Sequence, residues 1–212
     1  MSKKKLIYPI LMGDVVSSSS YEAKKLGTEL KELVDSVNQK FQKSILSPLT
    51  ITLGDDFQTV LNSVQTGIDI IFCIEEECLL HELDFKLHYV LHTGTIDTEI
   101  NPDIAYEMLG EGLTTARKML NIKKRDRKRF KIDIQSKTDS EQLNRLFEVL
   151  DSIIMNWKKE DYSLILDMIN NENNSEVGDK YNKNRDQIWK RRSTLMIKEY
   201  NLLKEVIFTY IR

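Results

Sequence analysis

The sequence predicts an α+β fold, a ferredoxin-like βαββαβ domain followed by a small all-α domain. Two short apolar runs, Leu6 to Gly13 and Leu49 to Leu61, stop at or fold around carboxylates. Apolar residues at helical spacing separate them, and period-two alternation returns at Phe85, Leu87, Tyr89 and Leu91. The chain has 212 residues, 41% of them hydrophobic, which is enough for one domain with a substantial core and a second, smaller one. Its formal charge of -2 argues against a bulk polyanion partner, so nucleic-acid binding has to be read segment by segment.

The first run ends at Asp14 and breaks into Val15, Val16 and the serines Ser17 to Ser20. Leu26, Leu30, Leu33, Val34, Val37 and Phe41 then give an amphipathic helix from about Tyr21 to Phe41. The serine hydroxyls can cap that helix, or the exposed N–H groups of the same turn can meet a phosphate. Ser47 and Pro48 lead into a β-hairpin in which Leu49, Ile51 and Leu53 share one face and Phe57, Thr59 and Leu61 another, around the tip Gly54, Asp55 and Asp56. A helix over about Ser63 to Leu80 follows, its stretch Glu75 to Glu77 solvated, and then the alternating strand that stops at Thr93 and Gly94. In the split βαβ arrangement the first strand lies beside the third. Asp14 and Asp55 then converge, and such a pair of hard oxygen ligands suits Mg²⁺ or Mn²⁺ carrying a phosphate. Taken singly, each aspartate is also ordinary turn chemistry.

The two cysteines, Cys73 and Cys78, are five apart on one helix and read as reduced packing residues. His88 and His92 share one side of their strand without a third ligand type nearby, which favours packing or a surface pair over zinc, and His81 reads as a helix-end residue. Beyond Asn101-Pro102, Leu113, Ala116, Met119 and Leu120 begin a third helix with Thr115, Arg117 and Lys118 on its first turns. The basic run Lys123 to Arg129 fits a phosphate grip and a solvated loop equally, before a strand over Phe130 to Ile134.

From Ser140 to Trp157 a helical stripe closes the first domain, giving expected domains of 1–157 and 158–212. In the second, Glu176 to Arg192 reads as helix, turn, helix: Gly178 where helices cross, Val177 and Tyr181 inward, Asn182 in a left-handed turn, Ile188 as anchor. Arg185, Gln187, Lys190, Arg191 and Arg192 face outward in that reading, which suits a DNA major groove, and a helical hairpin used for dimerisation is the alternative. Leu202, Leu203, Val206, Ile207 and Tyr210 give a last stripe able to pack on the hairpin or on a second chain. The basic N-terminus, Met1 to Lys5, precedes an apolar run too short for a signal or membrane segment, so a cytoplasmic protein without a membrane partner is expected.

Met12-Gly-Asp-Val-Val, the stretch Leu46 to Gln58 and the terminal helix-turn-helix resemble the SatD family of bacterial proteins. More distantly, Asp14-Val-Val-Ser, Leu53-Gly-Asp-Asp-Phe, and Leu91-His-Thr-Gly with Met108-Leu-Gly-Glu-Gly-Leu-Thr-Thr-Ala-Arg are similar to class III nucleotidyl cyclase domains, a palm-like fold. That resemblance implies Asp14 and Asp55 as the metal-binding pair, with Val15, Val16, Ser17 and Ser18 lending backbone to a triphosphate. It also places Thr114 at the ribose-orienting asparagine and Lys118 at the arginine that follows it, with Arg117 adjacent. The departures are that the base-reading lysine falls on Ile51, that a glycine of the first turn falls on Ser17, and that lysine lacks the planar fork of arginine. The resemblance further implies a site formed between two chains and hence a homodimer. The expectation is a regulator that binds a nucleotide or other phosphorylated ligand with Mg²⁺ or Mn²⁺, and DNA through its last domain. An active nucleotidyl cyclase or transferase is the alternative, and an interaction module with a vestigial site a third.

Overall fold

The computed structural model describes residues 6–52, 54–122 and 128–211, so Met1 to Lys5, Leu53 and Lys123 to Arg127 of the basic run lie outside the described residues. The chain packs as two units, Met1–Ile74 with Phe85–Arg145, and Glu75–Asp84 with Leu146–Arg212.

The first unit is the α+β one. Its strands are β1 (Ile7–Val15), β2 (Ile45–Ile51), β3 (Asp56–Leu61), β4 (Leu87–Thr95) and β5 (Phe130–Asp133). Its helices are α1 (Ala23–Phe41), α2 (Val64–Leu80) as far as Ile74, α3 (Glu111–Leu120) and the first half of α4 (Lys137–Ile154). The sheet order is β2-β3-β1-β4-β5, with β1 antiparallel to both β3 and β4 and β5 added parallel to β4. The first four strands therefore have the βαββαβ arrangement expected from the sequence.

Phe57, Gln58, Thr59, Val60 and Leu61 are all buried, which requires cover on both faces of β3. Side chains alternate across a strand. Ile10, Met12, Val60 and Val90 pack with Leu113, Ala116 and Leu120 of α3, whereas Leu61 and Leu91, one residue on, meet Gly67 of α2. So α2 and α3 lie on opposite faces.

Both sheet edges are closed by an asparagine. The Asn38 amide donates to the Leu49 carbonyl (2.9 Å) and its Oδ1 accepts from the Leu49 N–H (2.7 Å). On the other edge the Asn144 amide donates to the Ile132 carbonyl (2.7 Å) and its Oδ1 accepts from the Ile132 N–H (2.9 Å). Each side chain supplies the donor and acceptor that a further strand would supply, which blunts edge pairing.

Serine capping of α1 is corrected. The α1 cap is Glu22, with no side-chain bond, and Ser18–Ser20 form a 3₁₀ turn in which the Ser20 hydroxyl donates back to the Ser17 carbonyl (2.7 Å). The Ser20 hydroxyl is thus spent within its own turn.

The second unit holds the rest of α2 and of α4 with α5 (Tyr162–Asn170), α6 (Asn174–Lys180), α7 (Arg185–Thr194) and α8 (Ile197–Tyr210). Trp157 packs within it, its ring centroid 5.0 Å from that of Tyr200 and its indole N–H donating to the Leu195 carbonyl (2.9 Å). Among the described residues no helix is long and apolar enough to cross a membrane.

Candidate functional site

The end of the sheet that carries the carboxylates is shaped by one close contact. A Cβ on Gly13 would lie 2.5 Å from the Phe57 ring, so the glycine lets that ring seat on β1. In that register Gly13 faces Phe57, and Asp14 stands opposite both Asp56 on β3 and His88 on β4. The Val15 N–H donates to the Asp55 carbonyl (3.2 Å), and the Thr52 N–H to that of Asp56 (2.9 Å), closing a hairpin whose Gly54 sits at φ 71°. Asp14 and Asp55 thus occupy adjoining strand ends.

The turn after Asp14 is less open than expected for a phosphate cradle. Val15 and Val16 donate their N–H groups to the carbonyls of Asp55 and Lys86 (2.8 Å for the latter). Both amides are spent inside the sheet, and Ser17 and Ser18 follow beyond its last rung. Ser17 adopts a left-handed φ of 55°.

A second group of the candidate residues lies on the α3 face of the sheet. Three glycines let α3 and the chain before it press against β4. A Cβ on Gly112 would sit 2.7 Å from a backbone carbon of Gly94, one on Gly94 2.4 Å from the Gly112 Cα, and one on Gly110 2.4 Å from the Thr95 carbonyl. The segment leading into α3 is tied to the hairpin at buried Ala105: its N–H donates to the Thr50 hydroxyl (2.9 Å), and its carbonyl accepts from the Gln58 amide (2.5 Å).

Between them opens a cleft of about 810 Å³. Met12, Met108, Leu109 and Leu113 supply apolar wall, Tyr106 a half-exposed ring, and Glu107, Asn121, Thr114 and Lys118 polar groups. Thr114 and Lys118 are exposed. Arg117 is half-buried and pairs through Nη1 with the Asp56 carboxylate, while Nη2 donates to the Thr52 hydroxyl (3.3 Å) and Gln58 Oε1 (3.5 Å). The structure therefore gathers Thr114, Arg117 and Lys118 on one cleft. Asp56, Gln58 and Thr52, which hold Arg117 there, were not singled out in the sequence for that role. Ile51 is partly buried in β2.

Two aspartates on adjoining strand ends present hard oxygen donors of the kind Mg²⁺ and Mn²⁺ take. Among the described residues no three His, Cys, Asp or Glu side chains come together as a metal-binding group. His92 instead pairs with the Asp133 carboxylate (2.7 Å), and His81 lies 3.4 Å from Glu77 one turn earlier.

In the helical unit α6, a four-residue turn and α7 occupy the predicted stretch. Asn182 has φ 51°, and the Asn184 side chain caps α7 in a reciprocal box with Gln187. Gly178 makes room for the turn, since a Cβ there would meet the Lys183 carbonyl at 2.3 Å. The Tyr181 hydroxyl donates to Asp167 (2.5 Å), which Lys180 also bonds. Burial raises the Asp167 carboxyl, but the bonds from Lys180 and Tyr181 and the Lys180 charge outweigh it, leaving it below its ordinary value.

Of the residues assigned to DNA, Arg185 and Lys190 are exposed beside exposed Trp189. Gln187 is engaged in the cap and Arg191 in an ion pair with Asp161, whose hydrogen bond holds its guanidinium above the usual value. Arg192 donates to the Met168 and Asn171 carbonyls at the end of α5 (2.5 and 2.7 Å) and to Asn174 (2.9 Å). Desolvation lowers its basicity.

The sequence matches the SatD family over residues 8–201. A comparison with curated proteins finds no match. Among solved structures, the chain is similar to the monomeric guanylyl cyclase domain of the RhoGC fusion protein from the aquatic fungus Blastocladiella emersonii, at 15% identity and a TM-score of 0.39, covering 56% of this chain and 76% of that one. The guanylyl cyclase Cya2 follows at 12% identity and a TM-score of 0.38, covering 56% and 71%. The guanylate cyclase domain of RhGC from Catenaria anguillulae, in complex with GTP, gives 15% and 0.36, covering 57% and 75%.

Proposed function

The chain belongs to the SatD family, and on that footing we propose that it is a regulator whose α+β unit binds a nucleotide, or another phosphorylated small molecule, together with Mg²⁺ or Mn²⁺. The observation that carries this reading is the cleft of about 810 Å³, a size suited to a nucleotide, with Thr114, Arg117 and Lys118 on its wall. Met12, two residues before Asp14 on the same face of β1, forms part of it. In this reading Asp14 and Asp55 hold the metal, Ser17 and Ser18 meet phosphate oxygens, and Thr114 and Lys118 orient the remainder of the ligand. The metal, when bound, supplies charge neutralisation for the phosphates. A second copy of the chain completes the site, as the sequence resemblance implies, so sedimentation of the purified protein should give a dimer.

For the helical unit we propose duplex DNA, carried by the exposure of Arg185 and Lys190 on α7. Binding should fall with salt and weaken in Arg185→Ala and Lys190→Ala, and no binding at low salt would remove DNA from the reading.

Thermal shift with nucleoside triphosphates, with and without Mn²⁺, tests the site itself. Metal-dependent stabilisation that is lost in Asp14→Ala and Asp55→Ala is expected. No shift with any nucleotide would make both aspartates turn residues. The alternative, an active nucleotidyl cyclase or transferase, requires pyrophosphate release that Asp55→Ala abolishes. The placement of Lys118 and Thr114 where the resemblance calls for arginine and asparagine weighs against it.

A further inference from the structure

Arg117 would be the obvious anion-binding group of the cleft, yet it faces the ligand space already engaged. Its Nη1 is committed to Asp56, and its Nη2 points to Thr52 and Gln58. The pair is largely shielded, with side-chain exposures of 26% for Arg117 and 14% for Asp56, so solvent screens it weakly. Lys118, one residue on, is exposed on the same cleft and, among the described residues, makes no ion pair.

From this arrangement, and resting on the nucleotide reading above, we infer that Asp56 is the residue that sets how much negative charge the cleft accepts. It serves Arg117 as an internal counter-ion. A ligand with little charge is met by Lys118 and the polar wall. A polyanionic group that takes the Nη1 side of the Arg117 fork has to displace the Asp56 carboxylate. Asp56 stands in the hairpin directly after Asp55, and Thr52 closes that hairpin, so the same exchange loosens the tip on which Asp55 is carried. The cleft is thereby biased against highly charged ligands until their binding outweighs an existing charge-assisted bond.

The test is calorimetric titration of the full chain with adenosine and guanosine triphosphate in Mn²⁺, beside the uncharged nucleosides. Asp56→Asn keeps the shape of the side chain and removes its charge. It should bind the triphosphate that wild type binds about tenfold more tightly, the scale of one charge-assisted hydrogen bond, while nucleoside affinity moves less than twofold. Adding Arg117→Gln to Asp56→Asn should abolish that gain. Arg117→Gln alone, which removes the cation and keeps the Asp56 charge, should weaken triphosphate about tenfold and spare the nucleoside, and it carries the test if Asp56→Asn does not fold. Wild type that binds a triphosphate while Asp56→Asn binds it no better overturns the role of Asp56 and leaves the nucleotide reading standing. A gain that survives loss of Arg117 also overturns it. Absence of binding in every form overturns both.

Discussion

Alanine at Gly112 should loosen the cleft by lifting the helix that forms its wall. The new methyl would lie 2.7 and 2.8 Å from two backbone carbons of Gly94 and 3.0 Å from the Ile10 Cδ1, where carbon contacts ordinarily sit at about 3.5–4.0 Å. Strand backbone cannot rotate out of the way, so α3 must retreat by roughly 0.7–1 Å, taking Thr114, Arg117 and Lys118 with it. Overpacking of this kind costs about 3 kcal/mol, and the better helix propensity of alanine returns about 1, for a net loss near 2 kcal/mol. Gly27 is the control. It lies on the exposed side of α1 with nothing within 4 Å of an added methyl, so Gly27→Ala should stabilise by about 0.5–1 kcal/mol. Gly67 falls between, because its methyl would meet the movable side-chain ends of Leu91 and Leu61. Urea unfolding followed by far-ultraviolet circular dichroism measures all three, since both tryptophans, Trp157 and Trp189, lie in the helical unit. If Gly112→Ala proves as stable as Gly27→Ala, the close approach of α3 to β4 is not what positions the cleft.

Asn144→Ala strips the Ile132 N–H and carbonyl of their partners and should cost about 1–3 kcal/mol, read as a lowered urea midpoint, with self-association through the uncovered β5 edge. Gln58→Leu releases the Ala105 carbonyl, so limited proteolysis should cut within 101–109 faster than in wild type. Tyr181→Phe removes a hydrogen bond to Asp167 and should cost about 1 kcal/mol near neutral pH by tryptophan fluorescence. Because the folded Asp167 carboxyl is held below its ordinary value of 3.8, its contribution is present above that pH and is lost as pH falls through the lower, folded value. The gap between wild type and Tyr181→Phe should therefore narrow in acid.

Apolar periodicity made the elements legible because burial repeats at the helical and strand periods, and β1, β3 and β4 fall close to where alternation placed them; β2 begins at Ile45, four residues before the expected Leu49, because the register shifts around Ser47 and Pro48 break the alternation there. Edge closure was not legible. Asn38 and Asn144 look like ordinary polar residues of amphipathic helices, and only the three-dimensional path of β2 and β5 gives them a strand to imitate. The motif glycines were visible as motif letters but not as contacts: Gly94, Gly110 and Gly112 are brought together by a chain reversal that no local pattern encodes.

The cleft shows a subtler case. The motif resemblance puts Lys118 at the arginine position, with Arg117 adjacent. On a helix, however, residues three and four apart share a face. Arg117 lies four after Leu113 and three before Leu120, on the buried stripe, whereas Lys118 lies four after Thr114, on the exposed side. An arginine on a buried stripe must find an acceptor inside the fold, because a shielded charge without a partner is costly. Asp56 is that acceptor. The same phase divides the cations of α7. Arg191 and Arg192 lie three and four after buried Ile188 and four and three before buried Leu195, and both are spent internally, on Asp161 and on the end of α5. Lys190, two after Ile188, stays in solvent. In both units, then, helical phase separates the cations that hold the fold from those left in solvent, and Lys118 and Lys190 fall in the second group.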